Sequence, residues 1–228
     1  MKTIAIVVAG GSGTRFGAQV PKQFLALRGR PILMRTIEVF STALSGREHE
    51  IIVTLPVNQF EQWQSMCREH HFSVPHRVVP GGDTRWHSVK NALDVIGDYT
   101  GVDVIAVHDG VRPLVSCDLI SRCVGTACAQ GSAIPVVTLN DSVRLMEENG
   151  SRAMDRSRLR AVQTPQVFDA GLLISAYKQP FDISFTDDAS VVERMGSDIV
   201  LVEGEPSNIK ITRPMDLVLA EYLLDDNA

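Results

Sequence analysis

Residues 3–17 read TIAIVVAGGSGTRFG, and the junction between their apolar half and their glycine half decides the fold. Thr3 to Val8 is apolar on both faces, as a strand buried in a parallel sheet must be. The glycine cluster behind it lets backbone come close to phosphate groups, with N–H groups turned inward as an anion nest. Ala9, Gly10, Gly11 and Gly13 are therefore expected to hold a nucleotide. Two familiar phosphate loops do not fit. A P-loop closes on Gly-Lys-Ser/Thr, whereas Gly17 is followed by Ala18. A dinucleotide fingerprint counted from Gly11 meets Phe16 where glycine or alanine belongs, and no acidic residue ends a properly spaced second strand. The loop instead supplies two cations, Arg15 and, in Pro21-Lys22-Gln23, Lys22. Such cations suit an enzyme that neutralises a triphosphate while its α-phosphorus is attacked.

Downstream, short β-rich runs alternate with helical patterns, which predicts a Rossmann-like α/β fold: a mainly parallel twisted sheet with helices on both faces. Strands are expected at 50–55, 77–79, 102–108, 133–137, 199–202 and 209–212. Helices are expected from Pro31 as a first helical position, over 60–70, through 88–95, over 119–129, and from Pro214 to the end. One segment breaks the rhythm. Thr138 to Arg160 is polar and charge-rich, with a turn signal at Glu148-Asn149-Gly150. A structureless loop of that length is uncommon in a compact domain. The chain is thus read as a single nucleotidyltransferase domain, 1–228, with 138–160 inserted as a protruding β-arm that packs on a second subunit as a homodimer.

Composition narrows the partners. The 228 residues are 44% hydrophobic and 21% charged, ordinary for a globular protein. A formal net charge of −5 argues against bulk attraction to nucleic acid or to an anionic membrane surface. Cys67, Cys117, Cys123 and Cys128 show neither a CxxC pair nor zinc spacing and read as free thiols of a reducing compartment. The apolar N-terminal run is too short for a signal peptide, and no stretch approaches the ~20 apolar residues of a membrane span. A cytoplasmic protein with no membrane partner is expected.

Three further motifs carry chemistry. Gly81-Gly82-Asp83-Thr84-Arg85-Trp86-His87-Ser88 places a glycine turn before a helix, where backbone groups can meet a flat base and Asp83 and Ser88 can add hydrogen bonds. Asp83 could equally cap that helix. His108-Asp109-Gly110-Val111-Arg112-Pro113 ends an apolar strand, and ligands of open α/β sheets bind beyond strand carboxyl ends. Asp109 could contact ribose or substrate hydroxyls or stand near a metal, while His108 fits a satisfied core residue. In and after the arm come Asp141-Ser142, Asp155-Arg156, Gln163-Thr164-Pro165-Gln166, Thr186-Asp187-Asp188 and Asn208-Ile209-Lys210. Arg156 and Lys210 are the cations that a second, phosphate-bearing substrate would need. Asp187 and Asp188 suit a helix N-terminus.

With these motifs in view, the loop resembles that of the nucleotide-sugar pyrophosphorylase-like transferases. The set from Ala9 to Pro214 resembles the 2-C-methyl-D-erythritol 4-phosphate cytidylyltransferase family over essentially the whole chain. The resemblance implies CTP and a polyol phosphate as substrates, with Mg²⁺ carried on the CTP phosphates rather than in a protein cage. It implies cytosine reading by Gly82, Asp83 and Ser88, a ligand contact for Asp109, and Arg112 near the substrate. Thr164, Thr186 and Lys210 would serve their own subunit, and Ser142 and Arg156 the partner's site. The family usually has threonine where Ser142 stands, and the hydroxyl is retained. Ribitol-5-phosphate cytidylyltransferase shares the loop and the HD…RP motif. A dinucleotide-dependent oxidoreductase and a non-catalytic domain of the same fold remain as readings of other classes.

Overall fold

The computed structural model describes residues 1–10, 20–97 and 99–226. Gly11, Gly13 and Arg15, expected at the nucleotide site, lie outside the described residues.

The chain runs β1 (Lys2–Val8), the two-residue strands β2 (Ala26–Leu27) and β3 (Arg30–Pro31), α1 (Ile32–Ala43), β4 (Glu48–Leu55), α2 (Phe60–Glu69), β5 (Arg77–Pro80) and α3 (Arg85–Asp94). It continues through β6 (Val102–Asp109), α4 (Cys117–Gln130), β7 (Ser132–Thr138), β8 (Val143–Glu147), β9 (Gly150–Met154), β10 (Arg160–Val162) and β11 (Gln166–Asp169). The C-terminal part holds α5 (Ala170–Ala176), α6 (Asp188–Glu193), β12 (Leu201–Glu203) and α7 (Pro214–Asp226).

The central sheet has the order β10-β7-β11-β6-β1-β4-β5, with β12 also paired to β7. Strands β6, β1, β4 and β5 run parallel to one another. The antiparallel members are β10 and β11, which follow one another along β7 and are parted by Gln163-Thr164-Pro165. The sheet is thus mainly parallel, as its apolar strands predict.

Side-chain alternation along the strands explains why both faces are covered. In β1, Ala5 and Val7 enter one core, shared with Val53 of β4 and Ala106 of β6. Leu33, Ile37 and Phe40 of α1, Trp63 of α2 and Ile120, Cys123 and Val124 of α4 close that face. Ile4 and Ile6 point the other way, with Ile52 and Ile105, against Val89 of α3, Leu173 of α5 and Val192 of α6. Each fully buried aliphatic side chain of this kind contributes about 1.5–3 kcal/mol relative to exposure. A smaller cluster joins Leu27, Ile32 and Val111 to Ile211 and Ala220 of α7.

Residues 143–154 form a hairpin whose strands β8 and β9 pair with each other, from Val143↔Met154 to Glu147↔Gly150. The turn falls where the Glu148-Asn149-Gly150 signal places it, and Gly150 has φ 140°, which favours glycine.

Several local expectations are corrected. Helix α1 begins at Ile32, because Pro31 is engaged opposite Ala26 in the β2–β3 pair. Thr84, not Asp83, caps α3, its hydroxyl accepting from the His87 N–H at 3.3 Å. Residues 209–212 make no strand: the Ile211 N–H bonds to the Val111 carbonyl at 2.9 Å without a continuing ladder. Strand β12 is shifted to 201–203 from the expected 199–202.

Candidate active site

Strand β1 lies between β4, which follows it, and β6, which the chain reaches only after β5. This reversal opens a crevice beyond the strand carboxyl ends, where such sheets bind ligands. A cavity of about 300 Å³ occupies it, lined by Ala9 and Gly10 after β1, Gly82 and Asp83 after β5, Ser88 of α3, and Lys22. Glycine is required at one point of this wall and closely fitted at another. A Cβ on Gly82 would lie 2.4 Å from Cβ of His87, and one on Gly10 would lie 3.0 Å from Oγ of Ser88. Ser88 is buried and binds the turn to the helix, accepting from the Gly82 N–H at 3.0 Å and donating to the Thr84 carbonyl at 3.0 Å. Gln23 donates to the Ala9 carbonyl at 3.0 Å and to Oε1 of Gln59 at 2.7 Å, which fixes the end of β1 beside Lys22.

A second cavity, of about 260 Å³, is lined by Arg112, Thr164, Gln166, Thr186 and Asp187. Arg85, Asp109 and Lys210 line both cavities and so stand at their junction. Asp109, the last residue of β6, is 6% exposed. Its Oδ1 faces Nε of Arg85 at 3.5 Å, and its Oδ2 faces Nε of Arg112 at 3.4 Å and Nζ of Lys210 at 2.9 Å. Burial alone would raise its carboxyl, but Arg85, Lys210 and Arg112 together hold it well below the usual carboxylate range. Arg112 is fixed from behind, donating to the Asn208 carbonyl at 2.7 Å. The junction therefore holds three cations on one carboxylate, an arrangement with cationic capacity left over for anionic ligands.

His108, beside Asp109, is fully buried, and burial pushes its imidazole down to about 4. The ring is neutral at pH 7, and its neighbours fix the tautomer. Nε2 lies 3.1 Å from the Arg112 carbonyl, which can only accept, so Nε2 carries the proton. Nδ1 then accepts from the Thr164 hydroxyl at 3.1 Å, and Thr164 Oγ1 in turn accepts from the Asp109 N–H at 3.1 Å. His108 is thus the satisfied core residue its strand suggests, and it braces Asp109 and Arg112. A stability consequence follows. Above pH 6.5 the ring is neutral in both native and unfolded chains, so its contribution is complete. As pH falls from 6.5 through about 4, the unfolded chain binds a proton that the native state refuses, and the contribution is lost. The expected loss is about 3 kcal/mol. Urea unfolding at pH 7 and pH 4 should show a smaller drop for His108→Gln than for the wild type; equal drops would count against this reading.

The family model for IspD, 2-C-methyl-D-erythritol 4-phosphate cytidylyltransferase, matches residues 3–226. The chain belongs to this family. The 2-C-methyl-D-erythritol 4-phosphate cytidylyltransferase of Bacteroides fragilis is 48% identical over 220 residues, covering 96% of this chain and 98% of that one. The crystal structure of 4-diphosphocytidyl-2C-methyl-D-erythritol synthase from Anaerococcus prevotii superposes with a TM-score of 0.81 at 26% identity, over 98% of this chain and 96% of the other. The 2-C-methyl-D-erythritol 4-phosphate cytidylyltransferase of Thermus thermophilus gives 0.77 at 32% identity, over 97% of each chain. Membership of the IspD family makes the chain a nucleotidyltransferase enzyme of isoprenoid biosynthesis.

Within this IspD-family chain, Ala9, Gly10, Lys22, Gly82, Asp83 and Ser88 line the first cavity, Arg112, Thr164 and Thr186 the second, and Asp109 and Lys210 both. Ser142 and Arg156 do not join them. Both are exposed, and Arg156 donates to the Asn140 carbonyl at the base of the hairpin. The hydroxyl of Thr164 is already engaged with His108 and Asp109. Arg85 was not expected as a site residue. Its position in the first turn of α3 was the available signal, since that turn faces the crevice. Asp187 caps α6, accepting from the Ser190 N–H at 2.9 Å, so the helix-terminus reading of that residue holds. Among the described residues no three His, Cys, Asp or Glu side chains group as a metal site, and no helix is long and apolar enough to cross a membrane.

Proposed function

We propose that the paired cavities carry out the transfer for which the family is named: CMP moves from CTP to the 4-phosphate of 2-C-methyl-D-erythritol, and pyrophosphate is released. The observation that carries this reading is the junction, where Arg85, Asp109 and Lys210 serve two adjoining cavities at once. One cavity has glycine-lined backbone and Lys22 for a nucleotide, and the other has Arg112 and hydroxyl groups for a polyol phosphate.

The acceptor phosphate is already an anionic nucleophile. One of its oxygens forms a bond to the α-phosphorus of CTP as the bond from that phosphorus to the pyrophosphate oxygen breaks, so no strong base is needed. The barrier lies in bringing anions together and stabilising charge on five-coordinate phosphorus, a task for positioning and electrostatics. Arg15 and Lys22 are assigned to the triphosphate, and Lys210 to the acceptor phosphate. Gly82, Asp83 and Ser88 line the first cavity and are assigned to reading the base of the nucleotide. Ser142 and Arg156 flank the base of the hairpin, in keeping with a homodimer in which the partner's Arg156 reaches the acceptor phosphate. We read 1–228 as one domain with 138–160 as the dimerising arm, in the cytoplasm. Among the described residues the protein donors form no metal cage, and Asp109, the buried carboxylate at the junction, is surrounded by cations. Magnesium would therefore be held mainly by phosphate oxygens, where it supplies charge neutralisation.

The test is pyrophosphate release from CTP and 2-C-methyl-D-erythritol 4-phosphate with magnesium present. Turnover is expected with this pair, with a preference for CTP over UTP and for this acceptor over ribitol 5-phosphate. Equal or faster turnover with ribitol 5-phosphate would overturn the acceptor assignment.

A further inference from the structure

Asp188 is fully buried, and the mechanism above does not use it. It is absent from the walls of both cavities, yet it is wired to their junction. Its Oδ2 accepts from Nη2 of Arg85 at 2.6 Å, the same guanidinium whose Nε faces Oδ1 of Asp109. Its Oδ1 accepts from the hydroxyl of Tyr177 at 2.7 Å. Tyr177 is 1% exposed and lies against the Trp86 ring, with centroids 5.4 Å apart and planes 20° from parallel. Burial and the neighbouring Asp188 raise the phenol well above its ordinary value, so it remains a donor. The backbone of Asp188 is pinned as well, its N–H bonding to Oε1 of Gln166 at 3.0 Å.

The Arg85 guanidinium therefore spans two carboxylates, one rigid and buried, the other at the junction. Arg112 is locked onto the Asn208 carbonyl, whereas the Lys210 side chain is 40% exposed. Lys210 is thus the cation of the three with most access to solvent and to an incoming phosphate. It can leave Asp109 only if other cations still satisfy that carboxylate.

We propose that Asp188, with Tyr177 behind it, is a positioning residue for the transfer: it holds Arg85 on Oδ1 of Asp109, so that Lys210 can turn from Oδ2 to the acceptor phosphate. The proposal rests on the cytidylyl-transfer reading above. Without the Asp188 charge, the inner face of a buried guanidinium loses its partner, and Arg85 leaves Oδ1 of Asp109 for the cavities. There it disturbs the surface that Lys210 and the acceptor share, and Asp109 keeps Lys210 as its partner.

The experiment measures kcat and KM for both substrates, together with thermal unfolding, in Asp188→Asn, Tyr177→Phe, Arg85→Gln and Asp188→Asn/Arg85→Gln. Activities are normalised to folded protein. In Asp188→Asn, kcat/KM for the acceptor should fall about ten-fold or more while KM for CTP changes by less than about three-fold. Tyr177→Phe should move the same parameter the same way by about three-fold, and Asp188→Asn should add less than about two-fold once Arg85 is already Gln. Lowered stability with wild-type kinetics in both Asp188→Asn and Tyr177→Phe would overturn the positioning role. So would effects of Asp188→Asn and Arg85→Gln that multiply. If Asp188→Asn fails to fold, Tyr177→Phe decides, and an unchanged kcat/KM for the acceptor overturns the proposal. Failure of the wild type to turn over CTP would instead remove the reading beneath it.

Discussion

Asp109→Ala is expected to lower turnover by about 10²-fold or more and unfolding stability by about 3 kcal/mol. The stability loss does not come from the carboxylate's own attraction, because desolvation offsets much of it. It comes from what is left behind. Arg85 and Arg112, with side chains 24% and 11% exposed, would face each other across the junction with no anion between them, Arg85 keeping Asp188 and Arg112 the Asn208 carbonyl. Lys210 can swing into solvent, so it adds little to the cost. The activity loss follows because Asp109 is the one carboxylate that Arg85, Arg112 and Lys210 share, and it aligns them on the junction. The carboxyl is held low by its neighbours, so in the wild type its contribution is intact at neutral pH. It is lost only as pH falls below the ordinary carboxylate range and on through the lower native value. Urea unfolding at pH 7 beside steady-state kinetics checks both halves. A variant with normal stability would show that Asp188 and the Asn208 carbonyl suffice for Arg85 and Arg112.

Lys210→Ala is expected to give the opposite split, with kcat/KM for the acceptor down by about 10²-fold or more and stability changed by less than about 1 kcal/mol. The Lys210 ammonium is half exposed, so its pairing with Asp109 is screened and worth little to the fold. Removing it also leaves Asp109 with two guanidinium partners. If Lys210 meets the acceptor phosphate, the defect should appear in acceptor kinetics with KM for CTP changed little. A loss confined to KM for CTP would move Lys210 to the nucleotide side of the junction.

The parts of the molecule that could be read from the chain are those governed by local pattern. Thr3 to Val8 and Val102 to His108 are apolar on both faces, which only a covered, parallel strand tolerates, and the structure has β1 and β6 there. The hairpin turn at Glu148-Asn149-Gly150 is likewise local chemistry. What escaped depends on contacts distant in sequence. Gln166 to Ala176 passes from strand to helix without a proline break, its one glycine, Gly171, lying inside the helix, and β11 is held by β6 and β7, about 30 to 60 residues earlier. The motif Gly82 to Ser88 was legible as a glycine turn before a helix. That Arg85 would serve both cavities was not, because its partners Asp109 and Asp188 lie 24 and 103 residues away in the sequence. Helix periodicity shows which side of α3 faces the crevice but does not identify which carboxylates wait there.

The shared junction also bears on how the two substrates affect each other. A ligand in either cavity that draws on Arg85 or Lys210 changes the field that the other cavity offers its own ligand. By thermodynamic linkage, whatever factor CTP imposes on acceptor affinity, the acceptor must impose on CTP affinity. The chain has thus placed its electrostatic coupling in the wall between the two cavities, so that occupation of one and readiness of the other form a single equilibrium.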